Sequence, residues 1–219
     1  MRRKGTGMFQ SVDGYCERLG PGLWAEPLNA LSNLAFLIAA VIMARRARGL
    51  AMPTLLVGEL ALIGIGSGLF HTVAQGWAAL ADVIPILLFI LTCLYAANRQ
   101  FWGLARLPAA GLTALFLPYA AATGLLFSLI PGLGSSAGYA PVPLLILIYA
   151  ALLWTRQPAP ARGLALGGGL LTVSLIARSL DLPLCATNPS GTHFLWHLLN
   201  AGVLALMMET LIRNQKAHP

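Results

Sequence analysis

Two histidines four residues apart, His193 and His197, open the last apolar stretch of this 219-residue chain. On a helix that spacing puts both imidazoles on one face, about one turn apart, the arrangement by which two histidines share a metal ion. His71 closes an earlier apolar stretch and supplies a third candidate ligand. Three histidines with an open fourth position make a catalytic zinc arrangement, in which the metal brings the pKa of its bound water down towards neutrality. Asp82 lies across a short loop from His71, at the start of the next stretch, where it could accept a proton from that water or orient it. Ser67 stands four residues before His71, one turn deeper on the same helix face, and its hydroxyl could steady an oxyanion or the water. Each residue also has a plainer reading. The histidines could be hydrogen-bonded inside a bundle, Asp82 could answer a helix macrodipole, and Ser67 could be a small residue at a helix contact. Their convergence favours chemistry, because ionisable groups inside a membrane span are costly and usually functional.

The elements that must position these residues are membrane helices. The chain is 58% apolar and only 10% charged, with a mean hydropathy of +0.76, whereas soluble domains carry roughly 25% charged residues. That composition also excludes a disordered chain. The 23 glycines have no period of three and the three cysteines are too few for a disulfide scaffold. Reading apolar runs between charges, prolines and glycine clusters gives an all-α polytopic protein with seven spans, at 28–44, 53–73, 78–97, 107–130, 138–155, 163–178 and 192–212. The sixth is the weakest, diluted by Gly167, Gly168 and Gly169, small residues that suit a helix contact. One seven-helix domain covers 1–219, with an extracytoplasmic segment at 1–27, a bundle at 28–212 and a cytoplasmic tail at 213–219.

The basic residues set orientation. Arg45, Arg46, Arg48, Arg99, Arg106, Arg156, Arg162, Arg213 and Lys216 fall on the C-terminal face, against Arg2, Arg3, Lys4, Arg18 and Arg178 on the other. The positive-inside rule then predicts a cytoplasmic C-terminus and an outer N-terminus, and the stretch from Gly5 to Cys16 has no apolar segment of the kind a cleavable signal needs. The net charge of +7 is explained by this bias, since no basic patch interleaved with aromatics points to nucleic acid. Asp13, Glu17, Glu26, Asp82 and Asp181 sort to the outer face with His71, His193 and His197. Short loops and tails suggest a bacterial inner membrane.

Several stretches together resemble a known family. They are Cys16-Glu17, Trp24 to Asn33 (WAEPLNALSN), Gly66 to His71 (GSGLFH) followed by Asp82, and Thr192 to His197 (THFLWH). In this order they resemble the alkaline ceramidases, seven-helix enzymes of the wider CREST superfamily of membrane hydrolases. The resemblance runs from about residue 13 to about residue 212. It implies zinc held by His71, His193 and His197, with Asp82 and Ser67 contacting the zinc-bound water. The implied reaction is hydrolysis of the N-acyl amide of ceramide or a related lipid, releasing a fatty acid and an amine. It also implies a calcium ion near the N-terminus, for which Glu17 and Glu26 match two carboxylates. Asp13 departs from that pattern, standing three residues before Cys16 rather than two, and Leu19 occupies the place of an expected Asn.

Topology alone allows a disulfide between Cys16 and Cys185, both predicted on the outer face, while Cys93 lies within the third span. Trp24, Trp77 and Trp196 suit an interfacial aromatic belt. Glu209 and Arg213 are spaced to pair on one helix, Glu59 reads as a buried hydrogen-bonding partner, and His218 receives no role. Two competing functions remain at this stage: a seven-helix receptor or sensor with a structural zinc, and a related lipid esterase.

Overall fold

The structure is a computed structural model that describes residues 7–218, so the basic run Arg2, Arg3 and Lys4 lies outside the described residues. The chain folds as α1 (Pro27–Ser32), α2 (Leu34–Arg46), α3 (Ala51–Val73), α4 (Gly76–Gln100), α5 (Arg106–Ala114), α6 (Phe116–Ser128), a 3-10 turn at Gly134–Gly138, α7 (Pro141–Leu153), α8 (Pro158–Ser179) and α9 (His193–Ala217). Among the described residues, six helical stretches are long and apolar enough to cross a membrane, with α1–α2 and α5–α6 each counting as one. The protein is therefore an all-α polytopic membrane protein. Leucines and β-branched residues such as Ile38, Val41, Leu125 and Leu129 remain exposed on the bundle surface, as lipid-facing residues should.

The expected weak point moves. The glycine-rich sixth stretch forms a continuous 22-residue helix, α8, and the fifth is the short one, with only 13 residues in α7. At 1.5 Å per residue that is about 20 Å of helix, less than the roughly 30 Å hydrocarbon core. The glycines of α8 are contact positions: a Cβ on Gly167 would lie 2.1 Å from Met207 Cε, and one on Gly168 would lie 2.9 Å from the Leu147 side chain.

Breaks within the composite spans have local causes. Pro118 in α6 has no N–H for the Ala114 carbonyl, and the helix is interrupted at Leu115. Between α1 and α2 the Asn29 carbonyl is taken by Ser32 Oγ at 2.9 Å and Asn33 Nδ2 at 2.7 Å, side-chain bonds that compete with the helical ladder. Pro85 likewise deprives the Ala81 carbonyl of its helical partner within α4. That carbonyl turns up against Gly66 of α3, where a Cβ would sit 2.0 Å from it. A proline on one helix and a glycine on the other thus bring the two backbones together one residue before Ser67 and Asp82.

Helix α9 lies at the centre, in contact with α1, α2, α3, α4 and α8. The core around it contains Phe36, Leu56, Leu60, Phe89, Val203 and Met208. The N-terminal segment folds over one end of this bundle. Val12 N–H donates to the Ala74 carbonyl at 2.7 Å and Trp77 N–H to the Met8 carbonyl at 2.9 Å, and Cys16 is disulfide-bonded to Cys185 in the loop before α9.

Candidate metal centre

His71 sits in the last turn of α3, His193 opens α9 and His197 follows one turn on. All three are buried, with exposures of 1%, 2% and 1%, and each offers a ligand atom within 4.8 Å of the others, so that the cluster could hold a metal ion. Burying three imidazoles side by side without such a ligand would leave polar atoms unpaired. Indeed His71 Nε2 and His193 Nδ1 are enclosed with no hydrogen-bond partner.

The outer nitrogens are held by protein. His71 Nδ1 lies 2.6 Å from Glu26 Oε2, and a carboxylate there requires Nδ1 to carry the proton, leaving the Nε2 lone pair facing the cluster. Ser32 Oγ donates to the Asn29 carbonyl and lies 2.7 Å from His197 Nδ1. Its single hydrogen is thereby engaged, so Nδ1 of His197 donates to it and Nε2 keeps its lone pair. Such partners fix ring orientation and tautomer in metal-bound histidines. His193 is fixed differently: its backbone N–H donates to Asp181 Oδ1 at 2.9 Å, and its ring stacks on Tyr15 with centroids 3.8 Å apart. The donor set is three imidazoles whose ligand nitrogens lie within 4.8 Å of one another, a set whose chemistry fits zinc with a fourth position free.

Glu26 is also bonded by Asn29 Nδ2 at 3.1 Å and by the Arg18 guanidinium. Arg18 in turn donates from Nη2 to the His71 carbonyl at 3.1 Å. Burial works to raise the Glu26 pKa, but the hydrogen bonds from His71, Asn29 and Arg18 hold it below the usual carboxylate value.

Asp82 approaches the cluster from α4. Its Oδ1 is enclosed without a partner, and the buried Ser67 hydroxyl lies within reach of its carboxylate. His71, His193, His197, Asp82 and Ser67 therefore gather at one end of the bundle. Arg178 and Tyr15 stand beside them, and burial pushes the Tyr15 phenol up to about 12 while the Arg178 guanidinium pulls the other way.

The residues suggested for calcium have protein partners of their own or face outward. Glu17 accepts the Leu28 and Asn29 backbone N–H groups at 2.7 and 2.9 Å, capping α1. Glu26 belongs to His71 and Arg18, and Asp13 is exposed. Among the described residues the three histidines are the only group of three or more His, Cys, Asp or Glu side chains placed to hold a metal. The aromatic belt also needs correction: Trp24 is exposed, but Trp196 is buried, its ring 5.2 Å from that of Tyr139. Glu59 accepts a bond from Thr92 Oγ1 at 2.8 Å, Glu209 pairs with both Arg213 and Arg46, and His218 lies on the surface near the Asn214 carbonyl.

Sequence reasoning missed Ser32, Arg18 and Asp181 as supports. Ser32 had a signal, since Asn29, Ser32 and Asn33 are polar residues at helical spacing inside an apolar run. Asp181 had none. It bonds Thr192 and His193 N–H groups and Cys16 N–H across gaps that no local pattern reveals. Gly191 makes room for it, with φ +63° and a Cβ position 2.1 Å from Asp181 Oδ1.

A bundle of membrane-crossing helices closed at one end around a buried three-histidine cluster that could hold a metal ion defines a class of polytopic membrane proteins. More specifically, the chain matches the Ceramidase family model over residues 15–217 and belongs to that family. A comparison with curated proteins finds no match.

Proposed function

We propose that this protein is a zinc-dependent hydrolase that cleaves the N-acyl amide bond of ceramide or a related N-acyl lipid. The observation that carries the reading is the buried histidine cluster, whose unpartnered nitrogens converge while Glu26 and Ser32 hold the outer nitrogens of two rings, in a chain of the Ceramidase family. His71, His193 and His197 would hold the zinc, which when bound supplies Lewis acidity and a water acidified to near neutrality.

The remaining work falls to the chain. Asp82, with Oδ1 enclosed and unpartnered, accepts the proton of the attacking water. Ser67 donates its single hydroxyl hydrogen to the ionised Asp82 carboxylate, and once Asp82 has taken the proton that hydrogen is free to turn towards the acyl oxygen and its negative charge. The amine leaves as the C–N bond breaks and takes a proton from Asp82, so that the products are a fatty acid and a free amine. An apolar cavity lined by Phe36, Ile63, Ile86, Tyr139, Trp196 and Leu204 receives a lipid chain beneath the site. The scissile bond then sits at the headgroup boundary with its chains in lipid. The excess of basic residues on the opposite face supports a site that opens to the extracytoplasmic side of a bacterial inner membrane, with the C-terminus in the cytoplasm. A disulfide at the site end suits that oxidising side.

The test compares purified wild type with His193→Ala for bound zinc and for fatty-acid release from N-acyl lipids and matched esters. Wild type is expected to carry zinc and cleave an N-acyl lipid, and His193→Ala to lose both. Zinc in wild type with release from no substrate would turn the reading towards a receptor, and release from esters alone would turn it towards an esterase. Zinc content unchanged in His193→Ala would remove the ligand assignment.

A further inference from the structure

Arg178, in the last turn of α8, makes no direct ion pair among the described residues, although the Asp82 carboxylate lies within electrostatic range of it. Its Nη1 donates to the hydroxyls of Ser135 and Ser136 at 2.9 and 3.0 Å, and its Nη2 lies 3.5 Å from the Tyr15 hydroxyl. The guanidinium carbon lies 5.1 Å from the Tyr139 ring, 5.6 Å from Trp196 and 6.0 Å from Tyr15. Among the described residues the ion pairs are those of Arg18, Arg46, His71 and Arg213, and none involves Arg178. Asp181, three residues on, directs both carboxylate oxygens to backbone N–H groups instead.

A guanidinium held by hydroxyls and aromatic faces is oriented with no carboxylate bonded to it. Its planar fork then suits a carboxylate, sulfonate or phosphate, which it binds through charge-assisted hydrogen bonds. Position says which part of a lipid could bring that anion. Tyr15 lies between Arg178 and the histidines in the chain of contacts, stacked on His193 and reached by Arg178. Tyr139 and Trp196 are shared by the guanidinium and the apolar cavity. With an acyl chain in that cavity and the acyl carbon at the histidines, a group on Arg178 belongs to the amine half of the molecule.

We infer that Arg178 receives an anionic group on the headgroup side of the amide, so that among N-acyl lipids the site favours those carrying a carboxylate, sulfonate or phosphate near the scissile bond. This rests on the hydrolase reading, and the test separates the two. Binding to the full-length protein, as purified with its metal, is measured by calorimetry with N-(dodecylsulfonyl)glycine, in which a sulfonamide replaces the scissile amide, and with its uncharged methyl ester. Wild type is expected to bind the acid about tenfold or more tightly than the ester, the scale of a hydrogen bond to a charged group. Arg178→Gln should abolish the difference by weakening the acid alone, and Arg178→Lys should keep part of it. Equal affinities in wild type, or an unchanged ratio in Arg178→Gln, would overturn the inference. Should Arg178→Gln fail to fold by thermal unfolding, the wild-type ratio and Arg178→Lys still decide it. Dodecanoate serves as a third probe. If Arg178→Gln weakens dodecanoate more than the sulfonamide acid, Arg178 binds the released fatty acid and the headgroup assignment is wrong. Fatty-acid release is then assayed with N-lauroylglycine and N-lauroylethanolamine. Preference for the former in wild type, lost in Arg178→Gln through KM, supports the inference. Release from neither of these and none from an N-lauroyl ceramide, with the binding difference intact, overturns the hydrolase reading and leaves the anion site standing.

Discussion

The two ends of the bundle each carry an arginine–glutamate group, and the two behave as opposites. At the histidine end, Arg18, Glu26 and His71 form a chain whose side chains are 2%, 2% and 1% exposed. At the other end, Glu209 joins Arg46 and Arg213, whose side chains are 50% and 76% exposed. Water can replace any member of the second group. In the first, neither Arg18 nor Glu26 can leave without stranding the other's charge, because a buried pair that loses one partner keeps the desolvation penalty of the other. What the buried group gains from that penalty is orientation: Glu26 fixes the ring of His71, and Arg18 fixes both Glu26 and the His71 carbonyl.

Breaking the buried group should have the largest effect. Arg18→Met is expected to cost about 3–5 kcal/mol, seen as a lowered unfolding temperature in detergent, with activity lost alongside. Glu26→Gln keeps the shape but weakens the hold on His71, and zinc affinity measured by competition with a chelator should fall by about 10–100-fold. Ser32→Ala removes the weaker, neutral partner of His197, so its loss of zinc affinity in the same assay should be near the lower end of that range, about tenfold. At the opposite end, Glu209→Gln should leave zinc content and fatty-acid release at wild-type levels, since exposed pairs contribute little. A loss of zinc in Glu209→Gln as large as that in Glu26→Gln would erase the contrast between the two ends.

The histidines were legible in the sequence because so few ionisable residues interrupt the apolar runs that each stands out, and a separation of four places His193 and His197 on one helix face whatever surrounds them. The spans were legible for the same reason, apolar length being a local property. What could not be read was long-range. The bond from Glu26 to His71 crosses 45 residues and the one from Ser32 to His197 crosses 165, so the supports of the site appear only when α1, α3 and α9 are assembled. The structural part of Glu17 was hidden too: it lies ten residues before Pro27 and caps the first helical turn through the Leu28 and Asn29 N–H groups. The length of α7 was hidden because apolar residues continue past both ends of the helix, and hydropathy does not distinguish helix from turn.

The bond between Cys16 and Cys185 closes a loop of 169 residues, and α1 to α8 all lie inside it while α9 lies outside. The metal centre straddles that boundary, with His71 on the ring and His193 and His197 on the tail that leaves it. A single cut in any connection between α1 and α8 would open the ring yet leave both fragments joined, so the three imidazoles would stay on one covalent molecule. A cut between Cys185 and His193 would release α9 with two of them. The protein therefore tolerates a nick differently on the two sides of Cys185, and expression as two chains split inside the ring, with oxidation to rejoin them, is a route to a whole centre.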